Sequence, residues 1–263
     1  MQKYIFMAVA GMLALSSCSN DDNDIQDVQN APRQMTFTAG YNEGAQTRAT
    51  MDFSTKKVTF DANDKISVFS KSVTTNAQFT TSAGTTAGSA TFTGSTADDT
   101  EYYAVYPYKS GMTHASGTSV IGNVQIPSIQ NAAATNGWDP AAAIAYATTT
   151  GSTLTFHNAC ALLKIHNDRG DNATINITDM GYGAMAGTFS LDTSTGTLTK
   201  QENKSSSVSA SGVPNNTTIY LAIAPGTFNG FTAEYNGSYS RMKVSAITFE
   251  KGKIYNLGNT SSW

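Results

Sequence analysis

The stretch Phe231-Thr232-Ala233-Glu234-Tyr235-Asn236-Gly237-Ser238-Tyr239-Ser240-Arg241-Met242-Lys243-Val244 sets two alternating runs on either side of Asn236-Gly237. Asn-Gly is the strongest short hairpin signal, because both positions accept the positive φ of a tight turn. The same pattern surrounds it. Residues 173–178 alternate apolar and polar. Residues 188–192 and 196–199 read as a hairpin around Thr193-Ser194-Thr195, and 218–224 stop at Pro225-Gly226. Residues 247–249 and 254–257 follow around Lys251-Gly252-Lys253. The apolar run 154–165 is long enough for a strand buried on both sides. About seven strands in roughly 110 residues suit a β-sandwich.

The first half carries the pattern more loosely. Val58-Thr59-Phe60 and Ile66-Ser67-Val68-Phe69 flank the turn Asp61-Ala62-Asn63-Asp64. Tyr102-Tyr103-Ala104-Val105-Tyr106-Pro107-Tyr108 reads as a strand that ends at its proline. Val120 to Ile126 reads as another. One short helix is expected near residues 140–147: Asp139 is an N-cap, Pro140 suits the first helical position, and alanines follow. It ends at Thr148-Thr149-Thr150. The domain boundary is placed there, with one domain over 34–150 and another over 151–263.

Composition agrees. Thr, Ser and Gly account for 86 of 263 residues. Thr favours strands, and Gly and Ser favour turns, so the chain is read as all-β. Helical bundles and coiled coils need Ala, Glu, Lys and Leu in periodic runs, which are missing. A formal net charge of −3 argues against a nucleic-acid partner.

Residues 1–17 are laid out as an export signal. Lys3 supplies the positive end. Ile5 to Leu15 is an apolar stretch of 11 residues, too short for a bilayer core of about 30 Å. Leu15-Ser16-Ser17-Cys18 resembles the bacterial lipobox, in which the signal peptidase cuts between Ser17 and Cys18 and the cysteine is lipidated. Several acyl chains on one residue anchor stably where one would be marginal. An ordinary signal peptide with an incidental cysteine is the competing reading. Residues 18–33 open with Ser19-Asn20-Asp21-Asp22-Asn23-Asp24 after the cysteine and are read as an acidic, flexible tether. Cys160 lies in an apolar run and is read as a free buried thiol.

Several stretches now stand in order. They are the lipobox at Cys18, Gln46-Thr47-Arg48-Ala49-Thr50, Asp64-Lys65-Ile66-Ser67-Val68-Phe69 and the Tyr102 to Tyr108 run. Ile126-Pro127-Ser128-Ile129-Gln130, the run 156–165, Ala186-Gly187-Thr188-Phe189 and Gly252-Lys253-Ile254-Tyr255-Asn256-Leu257 follow. Together, over nearly the whole chain, they resemble the fimbrillin-like fimbrial subunits and cell adhesion lipoproteins of Bacteroides and relatives. The resemblance implies two tandem transthyretin-like β-sandwich domains, no cofactor and a place at the cell surface. It implies three kinds of partner: the outer membrane through the lipid on Cys18, a trypsin-like Arg-specific protease, and other fimbrial subunits joined by strand exchange. Cleavage would fall between Arg48 and Ala49 and remove a first strand. Residues 34–40 fit such a leader strand, with Met35, Phe37 and Ala39 inward and Thr36 and Thr38 outward. Refilling the groove with four or five apolar side chains would contribute about 6–15 kcal/mol before ordering costs. Residues 247–257 are either a donor appendage or the last strands of the second domain. The few residues after Leu257 favour a tip or minor component over a stalk subunit.

Enzyme chemistry finds little support. His114, His157 and His166 form no metal or nucleophile motif, and no phosphate loop is present. Asn167-Asp168-Arg169-Gly170-Asp171-Asn172 gathers oxygen ligands without EF-hand spacing; a polar turn and a calcium site are both open. Tyr102, Tyr106 and Tyr108 share one face. They either pack in a core or form ligand-facing aromatics for a saccharide. Two readings result: a non-enzymatic fimbrial subunit or adhesin, and a stand-alone surface glycan-binding lipoprotein.

Overall fold

The computed structural model describes residues 31–41, 50–52, 57–82, 89–133, 137–142 and 144–263. Ser17, Cys18, Arg48 and Ala49, the export signal and nearly all of the tether lie outside the described residues. The chain is all-β. Its strands in the first half are β1 (Pro32–Tyr41), β2 (Thr50–Asp52), β3 (Lys57–Thr59), β4 (Lys65–Ser70), β5 (Ala77–Thr81) and β6 (Ser89–Ala97). There follow β7 (Tyr102–Tyr106), β8 (Thr113–His114), β9 (Val120–Ile126), β10 (Ala145–Thr149) and β11 (Thr153–Asn158). The second half adds β12 (Ala161–Asn167), β13 (Ala173–Asp179), β14 (Gly187–Asp192), β15 (Thr197–Lys200), β16 (Ser207–Val213) and β17 (Thr217–Ile223). The last are β18 (Gly226–Phe228), β19 (Phe231–Tyr235), β20 (Tyr239–Lys243), β21 (Ile247–Phe249) and β22 (Ile254–Asn259). The hairpin read at Asn236-Gly237 joins β19 to β20, and the two turn residues take φ of 50° and 65°.

Seven strands close into a barrel in the order β1-β11-β10-β7-β4-β5-β6. Phe37, Phe60, Phe79, Phe92 and Phe156 fill it, all fully buried. The second module uses a four-stranded sheet β16-β13-β19-β20 and a three-stranded sheet β17-β12-β22. A further sheet, β15-β14-β9-β8, adds Ile121, Val124, Phe189 and Leu191 to the same core. The two cores share a layer. On β7, Tyr102, Ala104 and Tyr106 face the barrel interior, while Tyr103 and Val105 join the second core. On β4 and β10, Val68, Ala145 and Ala147 face the barrel, and Phe69 and Tyr146 the other side. Strands covered on both faces read as continuous apolar runs rather than alternation.

Two expectations are corrected. Among the described residues no helix forms near 140–147. Asp139 Oδ1 accepts from the Ala141 amide at 2.8 Å, and the Ala142 amide donates to the Asp139 carbonyl at 3.0 Å, which closes a single turn. The chain then enters β10, paired with β7 over five residues. Alanine's helical preference is worth under about 1 kcal/mol per residue and loses to sheet pairing and burial of Ala145 and Ala147. Among the described residues the sole helical segment is a 3-10 turn, Thr260–Ser262. The run 154–165 is two strands. It breaks at Ala159-Cys160, and its halves serve the barrel and the second module. Residue 150 accordingly falls between β10 and β11, neighbours in one barrel, while β9 pairs with β14. Cys160 is buried, and its Sγ accepts from the Ile144 amide at 3.4 Å.

One side of the second module is strapped by residues 127–133 and 137–138. The Gln130 amide donates to the Ser209 carbonyl at 2.8 Å, and the Ser209 amide to the Ser128 carbonyl at 2.7 Å, which covers the β16 edge. The Tyr220 amide donates to the Gly137 carbonyl at 2.5 Å, which covers the β17 edge. Gly137 has φ of +100°, and a Cβ there would meet the Thr218 carbonyl oxygen at 2.4 Å, so only glycine fits the approach. Between these points the buried Gln130 side chain bonds Ala222 on both polar atoms. Its Oε1 accepts from the Ala222 amide at 2.8 Å, and its Nε2 donates to the Ala222 carbonyl at 2.7 Å and to the Pro127 carbonyl at 3.1 Å.

Candidate functional site

The slot that holds β1 is the site that the sequence singles out. β1 pairs antiparallel with β6 over nine residue pairs and parallel with β11 over four. Phe37 and Ala39 are fully buried, Met35 is half-buried, and Thr36 and Thr38 are exposed. The Phe37 ring meets Phe79 and Tyr102 edge-on, with centroids 5.4 and 5.2 Å apart. Such pairs add about 0.5–1.5 kcal/mol beyond area burial. Gly94 sits opposite Met35, and a Cβ there would meet the Phe79 ring at 2.7 Å. At the exposed entrance Arg33 pairs with Asp98. Sequence reading missed Tyr41, which stacks on Phe60 at 5.2 Å and lies 5.8 Å from Phe156. The signal was present: 41 continues the period-two series 35, 37, 39.

Tyr102 and Tyr106 do not form a ligand platform. Tyr102 and Tyr106 are each 3% exposed and point into the barrel. The Tyr102 hydroxyl accepts from the Asp99 amide at 2.7 Å and donates to Asp98 Oδ1 at 3.2 Å; the Tyr106 hydroxyl donates to Asp64 Oδ1 at 3.1 Å. Burial, followed by the contact with Asp98, pushes the Tyr102 hydroxyl pKa up despite the opposing Asp99 amide bond. Tyr108 is half-buried past the proline. Two rings closed inside a core cannot stack on a sugar, which corrects the ligand-facing reading of Tyr102 and Tyr106.

The carboxylates of 167–172 are engaged by the protein itself. Asp168 Oδ1 accepts from the Ser261 amide at 2.8 Å and Thr260 Oγ1 at 3.1 Å, and Oδ2 accepts from Ser261 Oγ at 2.6 Å. Asp171 Oδ1 accepts from the Asn215 amide at 2.9 Å. The two acids thus face different partners. The Ser261 hydroxyl, followed by the Ser261 amide and Thr260, draws the Asp168 pKa from 3.8 to about 2. A depressed carboxylate pKa contributes stability above its unfolded value and loses it as pH falls through the folded one. The contribution is therefore complete above about pH 4 and gone below about pH 2. Urea unfolding across that window should show stability falling with acid in the native chain, and a shallower fall in Asp168→Asn. An equal slope in both would remove Asp168 from the account.

The fold does not bring the three histidines together. Both ring nitrogens of His114 lie against carbonyls, Val73 at 2.7 Å and Thr118 at 2.9 Å. His157 packs beside Tyr146, and His166 Nδ1 lies 3.0 Å from Thr218 Oγ1.

No family model matches the chain, and no curated protein does. Solved structures do. A "putative cell adhesion protein" from Bacteroides ovatus matches at a TM-score of 0.50 and 17% identity, over 87% of this chain and 92% of the other. One from Bacteroides uniformis matches at 0.49 and 14%, over 86% and 92%. A fimbrial protein from Bacteroides ovatus matches at 0.41 and 12%, over 85% of this chain and 47% of its own length. At such identities the likeness is one of fold, and the chain has the all-β fold of the first of these proteins.

Proposed function

We propose that the chain is a non-enzymatic cell-surface fimbrial subunit or adhesin, exported as a lipoprotein and moored in the outer membrane through Cys18. A trypsin-like protease cuts between Arg48 and Ala49, β1 leaves, and a strand from a neighbouring subunit takes its place. The division into two β-modules, one holding the exchanged strand, belongs to the same reading. The observation that carries it is the position of β1: an N-terminal strand held between β6 and β11, with Phe37 and Ala39 fully buried. Its loss would leave two unpaired edges and an apolar slot, which a matching strand fills with backbone bonds and alternating side chains. Pairing of β21 with β18 and of β22 with β12 supports an acceptor at the tip or a minor position, because those strands already serve their own sheets.

N-terminal sequencing of surface material, with size analysis after limited trypsin treatment, tests the proposal. The expected result is a chain starting at Ala49 and a ladder of oligomers after cleavage. A chain starting only at Cys18, with an unchanged monomer after trypsin, rejects it.

A further inference from the structure

Among the described residues, no further strand covers the side of the second module opposite the strap of residues 127–133 and 137–138. Among the described residues β20 pairs only with β19, and β22 only with β12. The two free edges flank a groove of about 470 Å³. Met242 and Val244, 58% and 75% exposed, lie along one wall, and Tyr255 and Leu257 along the other. Register gives the β20 side chains their sides. Arg241 and Lys243 lie opposite Ala233 and Phe231, both buried, so they share the inward face; Met242 lies opposite Thr232 on the outer face.

Those two cations decide what can dock. Arg241 donates to the Leu257 carbonyl at 2.8 Å, and Lys243 Nζ to Ser245 Oγ at 2.9 Å. Among the described residues no acidic side chain lines the groove. Inward-pointing charges protect an edge from pairing with its own kind, because a second β20 would set like charges against one another. They attract a strand of opposite sign for the same reason. We propose that the groove takes an extended acidic peptide of a partner protein, added along β20. Its carboxylates meet Arg241 and Lys243, and its alternate apolar residues lie beside Met242. The proposal concerns the end of the molecule remote in sequence from β1 and stands whether or not β1 is exchanged.

The test uses the full chain and two labelled octapeptides, one alternating Glu and Val and the other Lys and Val, followed by fluorescence anisotropy and amide exchange. The acidic peptide is expected to bind at least tenfold more tightly than the basic one and to slow exchange within β20. Lys243→Glu, a change at an exposed position, should weaken the acidic peptide at least tenfold and favour the basic one, with an unchanged unfolding midpoint. Failure of both peptides to bind overturns the proposal, as do equal affinities or protection elsewhere. A concentration-dependent dimer abolished by Val244→Asp would overturn it in favour of a second copy as occupant.

Discussion

Phe37→Ala is expected to lower the stability of the chain by about 3–5 kcal/mol, the usual cost of emptying a phenylalanine site in a core. The ring is fully buried and braced by Phe79 and Tyr102. The neighbouring strands are fixed by the closed barrel order, so the hole cannot collapse cheaply. Urea unfolding should show a lower midpoint at unchanged slope. Thr38→Ser, on the exposed face of the same strand, should move it by no more than about 0.5 kcal/mol. A loss under about 1 kcal/mol for Phe37→Ala would mean that β1 contributes little to the barrel, and exchange of β1 would then lack a driving force.

Gln130→Ala should cost about 2–6 kcal/mol, from two buried backbone groups that lose their partner at about 1–3 kcal/mol each. Ala222 is 2% exposed, and both its amide and its carbonyl end on the Gln130 side chain. Alanine can replace neither bond. Gln130→Glu should cost at least as much, since it removes the donor to Ala222 and Pro127 and buries a charge. Denaturant midpoints measure the loss, and faster exchange at the Ala222 amide assigns it. Native-like exchange there in Gln130→Ala would show that the strap holds through the backbone contacts at Ser209 and Tyr220 alone.

Much of this was legible in the residues. Asn236-Gly237 marked a hairpin because the turn demands a backbone that few residues accept, and that demand is local. The series Met35, Phe37, Ala39 marked a one-sided strand because its outer neighbours are threonines in water. What failed to show depends on distant partners. Ala141 to Ala147 carries a helical preference that no nearby residue contradicts; the contradiction comes from β7, about 40 residues away. Tyr102 and Tyr106 resembled a ring platform because a strand with two covered faces has no polar side to reveal burial. Gln130 reads as one more polar residue in a loop, since nothing around it announces a carbonyl and amide at Ala222. The place of 153–158 in the barrel was hidden likewise, because it rests only on pairing with β1 and β10.

The layer of β4, β7 and β10 works as a party wall. A barrel standing alone would gape when one stave is pulled, since each stave is held only by its neighbours and by whatever lies inside. Here three of the seven are also glued from outside, by Phe69, Tyr103, Val105 and Tyr146 set into the adjoining core. Withdrawal of β1 would then leave a notched but upright half-shell, and a vacancy with rigid jambs recaptures a strand far better than a slack one.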